Sequence, residues 1–407
     1  MKGVLSNIRV LDLSRHLAGP WASQIMADMG AEVIKVERPR VGDDSRAFGW
    51  IYLKDKDGRE TKENPFFLAA NRGKKSVTLD LAKPEGQDIV RRLAAVSDVV
   101  IENYRVGALQ RYGLGYEDLK RVKPDIIYCS ITGFGQDGPY RDRPGYDTIF
   151  QAMGGLMSIT GVPDGQPGAG PAKTGTSVSD LMTGMYSCIG ILGAINHRRD
   201  TGQGQHIDMA LLDSQVAAVS IEAARYLLLG QIPKRLGDVS PNTVPTQNFH
   251  CQDGTLVLAV GNDGQFAKLM ELMGRPEIAR DERFAKTVAR NRNRDALIPV
   301  LEQIFLTRPV REWVDTLAPA GVPCGPVNDM QQVFEDEQVR YRRMCVEVEH
   351  ASLGKVPAVA NPIKYSATPI KYDVSSPSLG QHTREVLRDY AQVAEADIDE
   401  LSRKGII

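Results

Sequence analysis

The stretch Ile8–Glu37, IRVLDLSRHLAGPWASQIMADMGAEVIKVE, decides the fold class. Ile8–Ser14 is a short apolar run that ends at a turn, and Trp21–Met29 reads as a helix with Pro20 at its entrance. Gly30 closes that helix, and Glu32–Glu37 returns as a second strand. Strand, helix and strand within about thirty residues form a βαβ unit, which requires a parallel sheet. The first turn reads LAGP and not GxGxxG, so a nicotinamide dinucleotide loses its main support. The helix N-terminus can still receive an anion.

The pattern repeats downstream. Ser76–Leu81 alternates as a strand, Pro84–Val96 is helical, and Asp98–Glu102 and Asp125–Ile131 are buried strands, with short helical pieces at Ala108–Tyr112 and Tyr116–Val122 between them. This succession predicts a doubly wound sheet with functional loops at the strand C-terminal ends. Those loops hold Arg38, Arg72, Lys74, Lys75, Arg105 and Arg111. Singly, each reads as a solvated charge; several on one sheet edge suit a phosphorylated ligand. Beyond a helix at Tyr146–Met157, a turn and strand at Gly202–Met209 and a long apolar helix at Leu211–Leu229, the period changes. Asn248–Val260 alternates around Asp253-Gly254, an antiparallel hairpin. Helices follow at Gln265–Met273, Arg290–Phe305 and Val310–Leu317. Val346–Glu349 and Ile363–Tyr365 read as strands, and His382–Ala391 and Ala396–Lys404 as helices. The division expected is a large domain over 1–209, a small α+β domain over 210–330, and a segment 331–407 that completes the large domain.

Bulk properties narrow the function classes. The 407 residues carry 42% hydrophobic and 25% charged side chains and a net charge of −1, which offers no electrostatic footprint for nucleic acid or an anionic membrane. Asn7, Arg9 and Asp12 interrupt any signal-peptide core, no apolar run approaches transmembrane length, and the expected location is cytoplasmic. The five cysteines form no CxxC pair and have no His at ligand spacing, which suits a reducing compartment and argues against a metal site.

Thr174–Arg199 reads as one amphipathic to fully buried helix, with Leu181, Met182, Met185, Tyr186, Ile189, Leu192 and Ile195 at helical spacing and Ser177 or Ser179 as N-cap. Asp180 stands in its first turn, where unpaired N–H groups and the helix dipole predict an ionised carboxylate at neutral pH. It is either an acid that helps start the helix or an anionic nucleophile aimed into a cleft.

Several blocks together resemble the class III CoA-transferases, the formyl-CoA transferase and carnitine CoA-transferase group. They include Val10–Arg46, ANRGKKSVTLDL (Ala70–Leu81), VIENYRVGALQRYGLGYEDL (Val100–Leu119), CSITGFGQDGPY (Cys129–Tyr140), GYDTIFQAMGGLM (Gly145–Met157), SVSDLMTGMYSCIGILGAI (Ser177–Ile195), GVPCGPVNDM (Gly321–Met330) and LGQHT (Leu379–Thr383). GLMSITG, LLDSQVA and GVPCGPVNDM look most like the succinyl-CoA:dicarboxylate branch that includes the glutarate enzyme. The resemblance implies a Rossmann-like large domain with a smaller α+β domain, in two chains interlocked as a homodimer. Asp180 matches the family's catalytic aspartate. A CoA site is implied at Leu17 and Ala18, Arg38, Asn71, Arg72 and Lys74, then Asn103, Tyr104, Arg105 and Arg111, with Tyr146 and Asp147 beside the nucleophile. Acyl-CoA and small carboxylic acids are then substrates, and no cofactor is permanently bound.

Two departures bear on the acid. Formyl-CoA transferases carry glutamine where Leu17 stands, and a glycine-run loop where this chain has Leu236–Phe249, so formate and oxalate are disfavoured. A dicarboxylate needs a cation for its distal carboxylate, for which Arg15, His16 and Lys173 are candidates. The nearest rival is α-methylacyl-CoA racemase, whose GHD context here reads Gly145-Tyr146-Asp147. Tyrosine is a poor base at neutral pH. A non-catalytic CoA-binding dimer is the reading from another class, and it predicts no reactive Asp180.

Overall fold

A computed structural model describes residues Lys2–Ile407. Strands β1 (Arg9–Asp12) and β2 (Glu32–Glu37) pair in parallel, Val10 opposite Val33, and helix α1 (Ala18–Asp28) connects them. With β3 (Lys74–Thr78), β4 (Val99–Glu102), β5 (Ile127–Thr132) and an edge strand His206–Ala210, the sheet has six parallel strands in the order β3-β2-β1-β4-β5-edge. That order reverses between β1 and β4, and the loops leaving these two strands flank the crevice where doubly wound sheets hold ligands.

Alternation along the strands builds a core on each face. One core places Leu11, Val36, Val77, Val100 and Tyr128 beneath the helices Pro84–Ala95 and Tyr116–Val122 and the C-terminal helices Thr383–Asp389 and Glu395–Arg403. The other places Val10, Val33, Val99, Ile101 and Cys129 beneath α1 and the long helix Val178–Thr201. The C-terminal segment returns to β3, where the Thr383 hydroxyl accepts Thr78 N–H at 3.0 Å. Ile363–Tyr365 is not a strand; the partner of Cys345–His350 is Gly354–Val359, paired as a hairpin.

The long helix is long and apolar enough to cross a membrane by length and composition, yet it lies against α1 and β5. Its buried stripe is only partly the expected one: Leu192 and Ile195 pack against the core that the helix shares with α1. Thr183, Gly184, Ser187, Cys188, Ile191 and Ala194 face the core, whereas Met185, Tyr186 and Ile189 are exposed. The physical reason is distance between backbones. A Cβ at Gly184 would stand 2.6 Å from the Ala18 carbonyl oxygen, so the two helices touch where only a small residue fits.

The chain divides into two compact units: residues up to Leu156 with Lys173–Ile232 and Gln338–Ile407, and Met157–Ala172 with Pro233–Glu337. Helices Leu211–Ala218 and Ser220–Leu229 fall in the first unit, joined to the long helix by a Ser179 Oγ–Gln215 Oε1 hydrogen bond of 2.7 Å. In the second unit, Thr246–His250, Thr255–Ala259 and Cys324–Pro326 form an antiparallel sheet. Phe249, Phe266, Phe305 and Trp313 fill its core, and the buried Arg290 guanidinium is satisfied by the carbonyls of Val244 and Phe284 and by Asp263.

Candidate active site

Asp180 lies in the first turn of the long helix and is half-buried. Ser177 occupies the N-cap position as expected, but neither serine caps the helix with its side chain. Ser177 makes no capping bond, and Ser179 is inside the helix with its hydroxyl turned to Gln215. The cap comes from another element. Asp147 opens the helix Asp147–Met153, and its Oδ1 accepts the N–H of Ser179 at 2.8 Å and of Asp180 at 3.3 Å. Gln151, one turn on, donates to Asp147 Oδ2 at 2.5 Å and accepts Thr174 N–H at 2.9 Å, tying in the loop that leads to Asp180. The i, i+4 spacing of Asp147 and Gln151 was the sequence signal for this tie. Gln215 had none, because its partner is 36 residues away.

The charge state departs from expectation. Burial, and then the Asp147 carboxylate, push Asp180 up to about 7. Desolvation and a like charge together outweigh the favourable helix N-terminus. The i, i+4 relation places Asp180 on the same side of its helix as Gly184, the side turned toward Ala18 and the first turn of α1.

The loop Ser14–Leu17 leaves β1 beside that turn. Asn103 holds it from across the crevice: its Oδ1 accepts Arg15 N–H at 2.8 Å and its Nδ2 donates to the Arg15 carbonyl at 2.7 Å. Tyr104 is half-buried and carries the Arg15 guanidinium over its ring at 4.9 Å. Its N–H is held at 2.7 Å by Glu102, a carboxyl that burial pushes up to about 7. Leu17 is the N-cap of α1, and Ala18 is buried behind it.

Beneath the loop is a fully buried charge network. Asp12 accepts hydrogen bonds from Ser23 Oγ at 2.6 Å and Lys74 Nζ at 3.1 Å, and Lys35 Nζ pairs with Asp43 at 2.9 Å. Lys74 also donates to the Pro20 carbonyl and to Asn71 Oδ1, which engages all three of its N–H donors. Burial first, offset in part by Asp12, brings its amine down to about 8. Asn71 is completed by the Phe67 carbonyl. Arg72 is a two-point partner of Asp28 at 2.9 and 2.7 Å. The side chains of Asn71, Arg72 and Lys74 thus face inward. Arg38, Arg105 and Arg111 are exposed, and Tyr146 is exposed with its ring centroid 6.2 Å from that of His16. Lys173 is exposed and bonded only to its neighbour's carbonyl among the described contacts.

Asp44 was not anticipated. Arg15 Nη1 and His16 Nε2 lie 3.2 and 3.5 Å from its Oδ2, and Arg38 Nη2 pairs with its Oδ1. No group of three His, Cys, Asp or Glu side chains among the described residues is placed to hold a metal.

Residues 5–383 match the family described as CoA-transferase family III. A succinate–glutarate CoA-transferase of Agrobacterium fabrum is 46% identical over 388 residues, covering 95% of this chain and 96% of its own. The human succinyl-CoA:glutarate CoA-transferase is 39% identical, covering 99% of this chain and 90% of its own. The crystal structure of a CAIB/BAIF family protein from Brucella suis superposes with a TM-score of 0.86 at 44% identity, covering 96% of this chain and all of that one.

Proposed function

The chain belongs to CoA-transferase family III and is a CoA-transferase, and on that premise we propose that it moves CoA from succinyl-CoA to a small dicarboxylic acid of the glutarate class, with Asp180 as nucleophile. The observation that carries the mechanism is the Asp147–Asp180 arrangement: a half-buried carboxyl at a helix N-terminus whose backbone a second carboxylate clamps.

Exchange of CoA near equilibrium requires the thioester's free energy to be kept from water, which a carboxylate nucleophile allows. Asp180 adds to the thioester carbonyl, and the tetrahedral adduct expels CoA thiolate to leave a mixed anhydride. The thiolate then attacks the aspartyl carbonyl, releasing the donor acid and leaving an aspartyl-CoA thioester. The acceptor carboxylate runs the two steps in reverse. Only the ionised form of Asp180 attacks, and charge leaves that carboxylate as the acyl bond forms. Its raised proton affinity therefore marks a ground state in which ionisation is costly.

In this reading the acyl-CoA lies along the crevice between the loops after β1 and β4. Arg38, Arg105 and Arg111 offer cations to its phosphates, the first turn of α1 at Leu17–Ala18 lies along its path, and Tyr146 flanks the reacting end. A second copy of the chain completes the assembly. The exposed apolar side chains Met185, Tyr186 and Ile189, with Ile221, Leu228 and Ile232, support that reading, and light scattering is expected to give about twice 44.7 kDa. The five unpaired cysteines support a cytoplasmic setting.

The deciding experiment mixes the protein with succinyl-CoA and hydroxylamine. A hydroxamate on the peptide containing Asp180 is expected, together with loss of glutaryl-CoA formation in Asp180→Ala at unchanged CoA affinity. Near-normal turnover by that variant refutes the mechanism.

A further inference from the structure

We infer, building on the dicarboxylate reading above, that Arg15 and His16 bind the distal carboxylate of the acid, and that Asp44 is the internal counter-ion that holds them in position before the acid arrives. Three observations converge on these side chains. First, two guanidinium groups and an imidazole gather on one carboxylate: Arg15 Nη1 at 3.2 Å and His16 Nε2 at 3.5 Å from Asp44 Oδ2, with Arg38 Nη2 on Oδ1. Asp44 is shared between two guanidinium groups, so it is not the exclusive partner of Arg15.

Second, the Arg15 fork is not satisfied within the chain. Its Nε–H is buried and has no acceptor, while Nη1 is held by Asp44 and the guanidinium plane lies over Tyr104. Buried donors without partners are uncommon in folded proteins and call for a missing acceptor. A carboxylate taken side-on by a guanidinium supplies two acceptor oxygens in the geometry the fork presents.

Third, His16 is held in an unfavourable backbone conformation in order to present its ring here. Its φ is +66°, a region that asparagine and glycine enter more readily, and its N–H is fixed at 3.1 Å by Asp43. The imidazole is two-thirds covered, between the rings of Phe48 at 5.5 Å and Tyr146 at 6.2 Å. Tyr146 precedes Asp147, the residue that clamps the backbone of Asp180. One side of His16 thus meets the cation cluster, and the other meets the wall next to the nucleophile. A second carboxylate on the acid would meet these cations, which a monocarboxylate cannot engage.

The test compares acceptors of equal length, glutarate and pentanoate, with succinyl-CoA as donor. In Arg15→Gln the KM for glutarate is expected to rise about tenfold, and the preference for glutarate over pentanoate to fall by a similar factor. CoA affinity should change far less than the KM for glutarate. His16→Asn keeps a residue that tolerates the left-handed backbone, and is expected to lower the preference about threefold. It also serves as the readout if Arg15→Gln does not fold. Equal loss toward both acids, or an unchanged preference in His16→Asn, overturns the assignment. If the unaltered protein forms no glutaryl-CoA or other dicarboxylyl-CoA from succinyl-CoA, the dicarboxylate reading itself fails, and that outcome is separate from the first.

Discussion

Asp147 Oδ1 accepts the N–H of Asp180 at 3.3 Å and of Ser179 at 2.8 Å, so one carboxylate both starts the long helix and faces the second carboxylate of the site with like charge. Placement and electrostatics of Asp180 are therefore coupled through a single side chain. They can be separated, because asparagine caps a helix nearly as well as aspartate does.

Asp147→Asn is expected to retain the fold and lower the proton affinity of Asp180. Burial is the larger cause of the rise to about 7, and the Asp147 charge adds to it. On the proposed route, in which the carboxylate form attacks, kcat/KM of the unaltered protein should fall as pH drops through about 7. In the variant that acid limb moves to lower pH. A pH–rate profile on succinyl-CoA and glutarate checks it; a limb that does not move assigns the rise to burial alone.

Gly184→Ala sets two effects against each other. Alanine improves helix propensity by about 1 kcal/mol. Its Cβ, however, would lie 2.6 Å from the Ala18 carbonyl oxygen and 3.1 Å from Trp21 Cδ1, and backbone cannot yield as a flexible side chain can. Overpacking costs roughly 1–3 kcal/mol, so net destabilisation is expected. Because Asp180 lies one turn away, the same displacement should lower kcat about tenfold or more. Chemical denaturation and steady-state kinetics on one preparation measure both.

Lys74→Met tests whether this lysine meets the ligand or supports the loop that does. Its amine is fully buried on Asp12, Asn71 and the Pro20 carbonyl. Removing one partner of a buried ion pair costs roughly 3–5 kcal/mol, although Lys35 and the two serines remain near Asp12 and moderate the loss. The denaturation midpoint should fall, while the CoA dissociation constant of the folded protein, measured by calorimetry, stays within about twofold. A large loss of affinity with an intact midpoint would place the amine on the ligand.

Much of this architecture is legible in local pattern. The βαβ unit at Ile8–Glu37 and the strand–helix alternation up to Ile131 determine a parallel sheet because side-chain period and connection length leave few alternatives. The hairpin around Asp253-Gly254 is equally local. The buried face of the long helix escapes local pattern for a physical reason. Periodicity identifies an apolar stripe but not which stripe meets the protein's own core, and here close approach at Gly184 buries the small residues and leaves Met185, Tyr186 and Ile189 outside. The ionisation of Asp180 was misjudged for a related reason. The helix terminus is visible in sequence, whereas desolvation and the Asp147 charge depend on residues brought in from 33 positions away. Asp44 likewise acquires meaning only when Arg15, His16 and Arg38 converge on it in space.

The inward placement of Arg72 and Lys74 has a consequence for anyone designing an inhibitor. A polyanionic compound aimed at Arg72 and Lys74 would have to compete with Asp28 and Asp12, the carboxylates that already hold those two cationic heads. On the proposed assignment, selectivity is better sought at Arg15 and His16, where a scaffold bearing a free terminal acid would answer the buried, unpartnered Arg15 Nε–H.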